Sequence, residues 1–443
     1  MKFSNPFKIW LPEKHRKSLD ASWKEGVPGN IMISITDYYL IPYALFLGAP
    51  NTAIGMLVAW PSLLASILQL ASTHMVNREG SRLLFLIKMT RFQGLLLIAA
   101  SMLCFWKGPL SVISLIFIII IFRILGNWIG AAWGSLMSDY LEPHERGRYM
   151  GSRQFVLGVT GFIALILSSQ FLDLSKNHFE AWGFGILFFL TGIARLISSR
   201  LFRKMEDLPY EEKLESRFTF WMFIRRFKKS NFVKFVVFVA GIGFAANLGA
   251  PYFNVYMLND LGFNYFQFMS VHLATVIAVF WSAPFWGRLA DRVGNVRVLK
   301  ITGLFVPFVP ILWIFSTNWY YLIAVEFYAG IVWSGFNLCA SNFIFDSVQP
   351  EKRVRCLSYF NLINGVAVFL GATLGGILSE MLPALNGYKA MSLFLISGLL
   401  RLALYLLPFH RFKEVRTSVE KVSSRELFFS VLGIKSLAGK DPD

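Results

Sequence analysis

A carboxylate and a guanidinium stand far apart in the sequence, each inside a long apolar run. Asp37 lies in "ISITDYYLIPYAL" and Arg123 lies in "IIIIFRILGNWIGAAWG". A charged side chain at the middle of a lipid-crossing helix costs about 2.5–3.5 kcal/mol on insertion scales, so it marks a functional candidate. An acid there can exchange a proton, and a nearby base can partly neutralise it. Two interpretations stay open: Asp37 is a proton or cation-substrate site, or the two residues form a structural ion pair.

Other polar and aromatic side chains accompany this pair. Glu326, in "YYLIAVEFYAG", is either within reach of a polar cavity or a structural acid. Arg195 and Arg401 lie near the ends of their apolar runs, where a long basic side chain can snorkel to the interface. The predicted proton and substrate site comprises Asp37, Arg123, Glu326, Tyr38, Trp60, Asn127, Asn337 and Asn361.

The chain around these residues has the composition of a membrane protein. It has 443 residues, of which 55% are hydrophobic and only 16% charged, whereas soluble domains carry about 25% charged residues. The apolar residues form blocks of about twenty, the length that a helix needs to cross a bilayer. Helices satisfy their own backbone polar groups in lipid. The sequence therefore predicts twelve lipid-crossing helices, near residues 27–48, 52–73, 83–105, 110–136, 150–172, 179–201, 232–257, 264–287, 296–316, 319–345, 356–382 and 388–409.

The net charge of +17 is unevenly distributed along this pattern. Lys and Arg concentrate in the tails and in the loops after even-numbered spans, with ten between Arg200 and Lys234. By the positive-inside rule both termini are cytoplasmic, so the charge indicates topology and not nucleic-acid binding. No cleavable signal peptide is visible, and the three cysteines have no metal-binding spacing. We expect no cofactor, no metal and no enzymatic activity, since no catalytic cluster or phosphate-binding loop is found.

An internal duplication divides the chain. The polar loops "SDYLEPHERGRYMGS" and "FDSVQPEKRVRCLSY" align with a separation of 207 positions, which pairs Asp139 with Asp346 and Arg146 with Arg353. Two six-helix bundles of parallel topology explain such a repeat. The predicted organisation is an N-terminal segment, a first bundle, a cytoplasmic loop, a second bundle and a C-terminal tail, at residues 1–26, 27–201, 202–231, 232–409 and 410–443.

A second repeated element carries a resemblance to a known family. The stretch "GRLADRVG" followed by Arg297 resembles the G-x-L-A-D-R-x-G-x-x-R signature of the major facilitator superfamily. Its counterpart "HMVNREG" in the first half has Asn77 where the signature has an acid. Glycines at such tight turns allow a positive φ, and an acid such as Asp291 can accept hydrogen bonds from an arginine or a helix N-terminus.

The resemblance implies a function for the whole chain. It implies a secondary transporter in which two bundles rock around a midplane site, with Asp37 and Arg123 coupling a small organic solute to protons. The alternatives are a uniporter without proton coupling and a transport-inactive scaffold or sensor. We expect a monomer in the bacterial cytoplasmic (inner) membrane. The implied cytoplasmic gate comprises Gly287, Arg288, Asp291, Arg292, Gly294, Arg297, Asn77, Arg78, Gly80, Asp139, Arg146, Arg148, Asp346, Arg353 and Arg355.

Overall fold

The computed structural model describes residues 11–176, 179–208, 230–348, 350–407 and 412–415, and at positions 70, 73, 74, 77, 143, 180 and 350–355 it describes the backbone alone. Within these ranges the chain is helical, and an isolated bridge between Leu385 and Tyr388 is its one extended pairing. In the first half the helices are α1 (Arg16–Phe46), α2 (Asn51–Leu68), α3 (Ser72–Glu79), α4 (Arg82–Met102), α5 (Pro109–Tyr140), α6 (Pro143–Lys176) and α7 (Glu180–Phe202). In the second half they are α8 (Asn231–Val255), α9 (Tyr265–Val293), α10 (Asn295–Phe305), α11 (Phe308–Leu312), α12 (Trp319–Ser347), α13 (Pro350–Met381) and α14 (Lys389–Leu406).

The described residues contain eleven helical segments that are long and apolar enough to cross a membrane. Ten of them correspond to α2, α4–α9 and α12–α14, and the eleventh, Asn295–Leu312, is formed by α10 together with α11. Helix α1, the first of the twelve predicted spans, is not among the eleven. Its apolar part carries Asn30, Asp37 and several tyrosines, which lower its mean hydropathy. The helix that holds the predicted proton site thus has a less apolar central stretch than the other eleven spans.

Two helices extend beyond the predicted spans. Helix α1 begins at Arg16, so the later part of the predicted N-terminal segment is helical and continuous with the first span. Helix α9 continues to Val293, so Gly287 lies on a helix instead of in a turn, and Asp291 lies near the helix end. Neither extension shows an apolar signal, because both carry charged residues that a hydropathy pattern assigns to loops.

Contacts between residues divide the chain into two compact units. The first unit draws on both halves of the sequence, and the second lies in the part that begins at Glu215. The first unit contains the described residues of Met1–Leu214, Asn247–Ser270 and Gly365–Ala390, and the second contains those of Glu215–Ala246, Val271–Asn364 and Met391–Asp443. The first unit therefore combines the first half with the ends of α8, α9 and α13. The predicted bundle boundaries stay a prediction, because contact units and duplicated sequence units are different divisions.

Each unit has its own apolar core near the signature loops. In the first unit Leu86, Leu136 and Tyr149 are fully buried between α4, α5 and α6. In the second unit Phe235, Leu299 and Phe343 are fully buried between α8, α10 and α12. Burial of side chains of this size stabilises a fold by about 1.5–3 kcal/mol each. These cores fix the helix ends that carry the repeated loops.

Candidate functional site

The structure brings together the two charges that the sequence singles out. In the first unit, Arg123 on α5 donates from Nη2 to Oδ1 of Asp37 on α1, at 2.6 Å. Both side chains are 40% exposed. An ion pair of this exposure is weakly stabilising, because solvent screens it. The position of the pair, and not its contribution to stability, therefore bears on function.

The other predicted site residues lie in both units. In the first unit, Trp60 is 40% exposed and packs edge-on against Phe369, with ring centroids 5.1 Å apart. Tyr38 and Asn127 are half-buried in the same unit. In the second unit, Asn337 is exposed, and Asn361 is half-buried.

Glu326, on α12 of the second unit, has a well-defined environment. Its carboxylate accepts hydrogen bonds from Thr275 Oγ1 at 2.5 Å and from Trp313 Nε1 at 3.2 Å. Both donors are neutral, so this acid has polar contacts without a directly bonded cation. A carboxylate held in this way can bind or release a proton without breaking an ion pair.

A buried ion network in the first unit was missed by the sequence analysis. Glu25 on α1 is 4% exposed and lies between two arginines, with Oε1 3.7 Å from Arg195 Nη1 and Oε2 3.6 Å from Arg153 Nη2. Ser198 Oγ donates to Glu25 at 2.7 Å, and Arg195 Nε donates to Gln93 at 2.9 Å. A glutamate with these partners and almost no exposure is a structural acid, because burial of charge is tolerated only with such pairing.

The snorkelling interpretation of Arg195 and Arg401, on the last long helix of each half, was wrong. Arg195 is 5% exposed and Arg401 is 2% exposed, so neither reaches an interface. Arg401 donates to the backbone carbonyls of Val306, at 3.3 Å, and of Ala246, at 3.4 Å. The repeat thus retains a buried arginine in both halves but gives it different partners.

The predicted gate loops have related geometry in the two halves. Gly80 has φ of 68° and Gly294 has φ of 93°, as the turn argument predicted. Just beyond these glycines, Arg82 Nη1 contacts Asp139 Oδ2 at 2.6 Å, and Asn295 Nδ2 donates to Asp346 Oδ2 at 2.7 Å. In each half the residue that opens the next helix therefore binds the acid at the end of α5 or α12.

A segment that follows the last helix of each half completes these loops. In the second unit, Glu414 Oε2 accepts a hydrogen bond from the backbone N–H of Val296 at 2.8 Å, in the first turn of α10. In the first unit, Arg82 donates to the carbonyl of Leu208 at 3.3 Å. The sequence analysis assigned Glu414 to the C-terminal tail and did not predict this cap, because single acids in a polar tail carry no pattern.

The remaining gate residues are placed as follows. Arg78, Arg146, Arg148, Arg288 and Asp291 are exposed, whereas Arg292, Arg297 and Asp346 are half-buried. Arg146 donates to the carbonyl of Ser138 at 3.2 Å. The side chains of Asn77, Arg353 and Arg355 lie outside the described residues. The predicted hydrogen bond to Asp291 from an arginine or a helix N-terminus therefore stays a prediction.

The two positive-φ glycines are expected to differ in their tolerance of alanine. At Gly294 an added Cβ would overlap the Glu414 carboxylate, whereas at Gly80 it would meet open space. Gly80→Ala should lower the free energy of unfolding by about 1 kcal/mol through backbone strain. Gly294→Ala should lower it by about 2–3 kcal/mol, because strain is joined by loss of the cap on α10. Thermal unfolding of the purified variants measures both, and equal losses would contradict a role for Glu414.

Taken together, these features define a polytopic helical membrane protein with an internal duplication, repeated loop contacts and an exposed ion pair. The comparisons with known proteins agree with this class. The family model described as Major Facilitator Superfamily matches residues 29–272 and 235–441, and the chain belongs to that superfamily. Its fold is accordingly that of twelve transmembrane helices in two pseudo-symmetric bundles.

Individual relatives are similar over different lengths. An uncharacterized MFS-type transporter of Methanocaldococcus jannaschii is 22% identical over 366 residues, which cover 80% of this chain and 89% of the relative. The class H tetracycline resistance protein of Pasteurella multocida is 30% identical over 146 residues, 32% of this chain and 35% of that protein. The crystal structure of the nucleoside transporter NupG matches with a TM-score of 0.65 at 14% identity, covering 90% of this chain and 99% of that one. Membership of this superfamily points to a transporter rather than an enzyme.

Proposed function

We propose that this protein is a secondary transporter that moves a small organic solute by alternating access and couples it to protons through Asp37. The observation that carries the proposal is the exposed ion pair between Asp37 and Arg123. Membership of a transporter superfamily supports the general activity. The coupling is inferred from the placement of the pair.

The exposure of the pair supports a functional role over a structural one. The side chains of Asp37 and Arg123 are each 40% exposed, whereas those of Glu25 and Arg195 are 5% and 6% exposed. An ion pair that only stabilises a bundle gains nothing from exposure. An acid that exchanges protons needs a route to water, and Asp37 has the exposure that such a route requires.

The exposed fraction also indicates what faces the pair. Charged side chains that contact hydrocarbon at mid-depth are strongly disfavoured, so those found inside membranes face a bundle interior or a water-filled cavity. Asp37 follows two helical turns of mainly apolar residues on α1, and Arg123 lies near the middle of α5. We infer that both face an aqueous space through which solute and proton reach them.

A change of partner gives a simple coupling step. When Asp37 is ionised, Arg123 neutralises it, and the pair is stable as seen. Protonation of Asp37 breaks the charge pairing and leaves Arg123 free to bind an anionic or polar group of the solute. Ionised Asp37 thereby keeps Arg123 paired with itself, and protonated Asp37 leaves Arg123 to bind the solute. Glu326 in the second unit, with two neutral donors, is a second acid that we propose exchanges a proton.

The same proposal includes location and assembly. We propose that the protein is a monomer in the cytoplasmic (inner) membrane of a bacterium, with both termini in the cytoplasm. The excess of Lys and Arg in the tails and alternate loops supports this orientation. The relative named for tetracycline resistance favours amphiphilic solutes, and the aromatic ring of Trp60 is suited to such molecules.

Reconstitution tests the proposal directly. A thermal-shift screen of the purified protein with tetracycline, lipophilic cations and nucleosides identifies a solute, because a ligand stabilises the state that it binds. Proteoliposomes loaded with buffer of a different pH then report transport of that solute. We expect the ratio of solute concentrations inside and outside the proteoliposomes to depart from one when a pH gradient is imposed. A protonophore, which removes the gradient, should return the ratio to one. Flux that ignores the gradient indicates a uniporter, and absence of any flux for a bound solute indicates a sensor.

A further inference from the structure

The start of α9 is held by an acid from the other half of the sequence. Within the first unit, the carboxylate of Asp173, near the end of α6, accepts hydrogen bonds from the backbone N–H groups of Tyr265 and Phe266, each at 2.7 Å. The third N–H of the helix, from Gln267, is bonded at 2.7 Å to the side chain of Asn264. A helix N-terminus has free N–H groups and a partial positive charge. Asp173 is thus a shared cap that joins the two halves.

The start of α2 is held in the same way, with the roles of the halves reversed. Glu380, near the end of α13, accepts a hydrogen bond at 3.2 Å from the backbone N–H of Thr52. Pro50 precedes the helix and offers no side-chain cap. The acid from the second half therefore supplies what the local sequence of α2 lacks.

These two contacts are equivalent under the internal duplication. Asp173 and Glu380 are 207 positions apart, the separation that relates Asp139 to Asp346. Thr52 and Phe266 are 214 positions apart, the separation that relates Gly80 to Gly294. Two independent contacts that obey the same two offsets are not an accident of surface packing. The duplication has retained an acid and a helix end in both copies.

Close packing surrounds the contact on α2. A Cβ at Gly55 would lie 2.5 Å from the carbonyl oxygen of Ala372, and a Cβ at Gly376 would lie 3.2 Å from Cα of Thr52. The hydroxyl of Tyr252 lies 3.1 Å from the Ala372 carbonyl oxygen and 3.4 Å from the Asn51 carbonyl oxygen. The helices thus approach closely at these glycines, with the Tyr252 hydroxyl packed between them, and the capping distances depend on that approach.

We propose that Asp173 and Glu380 form an outer latch that holds the two halves together at their non-cytoplasmic ends during the transport cycle. The inference relies on the proposed alternating-access function. The ends of α6 and α13 and the starts of α2 and α9 all lie at loops poor in Lys and Arg, which the charge pattern assigns to the outer side. Opening toward that side requires the halves to part, and parting breaks both caps.

The two members of the latch differ in strength. Asp173 is half-buried and makes two hydrogen bonds at 2.7 Å, whereas Glu380 is exposed and makes one at 3.2 Å. Charge-assisted hydrogen bonds are stronger when short and when shielded from solvent. Asp173 therefore contributes more to the outward-closed state than Glu380.

Distance measurement in the intact protein tests the latch. Spin labels on cysteines introduced at Lys107 and Thr317, exposed residues on outer loops of different halves, report opening by pulsed electron–electron dipolar spectroscopy. The native cysteines are buried, so the label favours the introduced sites. We expect Asp173→Ala to raise the ratio of outward-open to outward-closed protein about two- to fivefold, the ratio that a charge at a helix N-terminus sets. Glu380→Ala should raise it less, and the double variant should exceed either.

Asp260→Asn is the matched control. Asp260 is an exposed acid at the outer end of the π-helical turn that follows α8, and it caps no helix of the other half in the described structure. Its variant should keep the wild-type distance distribution. If Asp173→Ala and Glu380→Ala both keep it as well, the latch proposal is wrong. The readout needs no solute and no pH gradient, so this outcome is distinct from a failure of proton coupling. If Asp173→Ala fails to fold, Glu380→Ala alone decides, since its side chain is exposed.

Discussion

Replacing Asp37 with asparagine is expected to abolish solute accumulation driven by a pH gradient. One proton moved down a gradient of one pH unit supports about a tenfold concentration ratio, because each factor of ten corresponds to about 1.4 kcal/mol. Asparagine has nearly the shape of aspartate but does not exchange a proton, so the ratio should fall to one. Exchange of labelled for unlabelled solute without a gradient should persist, because the cavity and Arg123 are retained. Proteoliposome flux under both conditions measures the difference.

Asp20→Asn is a suitable control for this experiment. Asp20 also lies on α1 and is also paired, with Lys24 Nζ at 2.6 Å, but it lies near the cytoplasmic end that the charge pattern predicts. This variant should accumulate solute as the wild type does. Equal gradient-driven accumulation by Asp37→Asn and Asp20→Asn would remove Asp37 from the coupling mechanism while leaving transport itself intact.

Replacing Glu25 with alanine is expected to cause the largest loss of stability. Glu25 is 4% exposed, and its removal leaves the positive charges of Arg195 and Arg153 buried without their acid. Breaking a buried ion pair by removing one partner costs about 3–5 kcal/mol, because the other charge stays desolvated. The midpoint of thermal unfolding of the purified protein should fall accordingly. Glu25→Gln should fall less, because an amide oxygen can still accept the hydrogen bond from Ser198.

Glu13→Ala provides the comparison for this loss. Glu13 is exposed just before α1 and forms no ion pair in the described part of the chain, so its removal should change the free energy of unfolding by no more than a surface substitution does, about 0.5 kcal/mol. An equally small effect of Glu25→Ala would show that the two arginines are stabilised by other groups. The network would then be incidental to the fold.

Much of the architecture could be predicted from the sequence because membrane helices have a strong signal. Long apolar blocks gave the helices, and the shared separation of polar loops gave the duplication. The positive φ of Gly80 and Gly294 followed from their place in short turns. The pairing of Asp37 with Arg123 followed from one acid and one base at similar depth, with no competing partner in the same apolar runs. Each of these features depends on one physical requirement: burial of apolar residues in lipid, a positive φ in a short turn, or neutralisation of a charge inside the membrane.

The contacts that were missed involve charges near helix ends. Glu25 was placed outside the membrane, because the polar start of α1 does not look like part of a lipid-crossing helix. Arg195 was assigned to an interface because it lies near the end of an apolar run, where a long basic side chain can reach the lipid headgroups. Hydropathy cannot show that these two residues neutralise each other, since their attraction depends on the packing of α1 against α7. For Asp173 and Glu380 a signal did exist: their separation of 207 positions equals that of the paired loop residues.

The hydroxyl of Tyr252 has a consequence for the kinetics of the cycle. It has one proton and two neighbouring carbonyl oxygens, on Ala372 and Asn51, so it can satisfy one of them fully and the other only in part. When α2 moves away from α8 and α13, the carbonyl of Asn51 keeps its hydrogen bond from the helix, because Asn51 lies in the first turn of α2 and its carbonyl accepts from the N–H four residues on. The Tyr252 hydroxyl keeps the Ala372 carbonyl as its acceptor. Separation of α2 therefore breaks only the longer of the two contacts, which adds little to the free-energy barrier for opening.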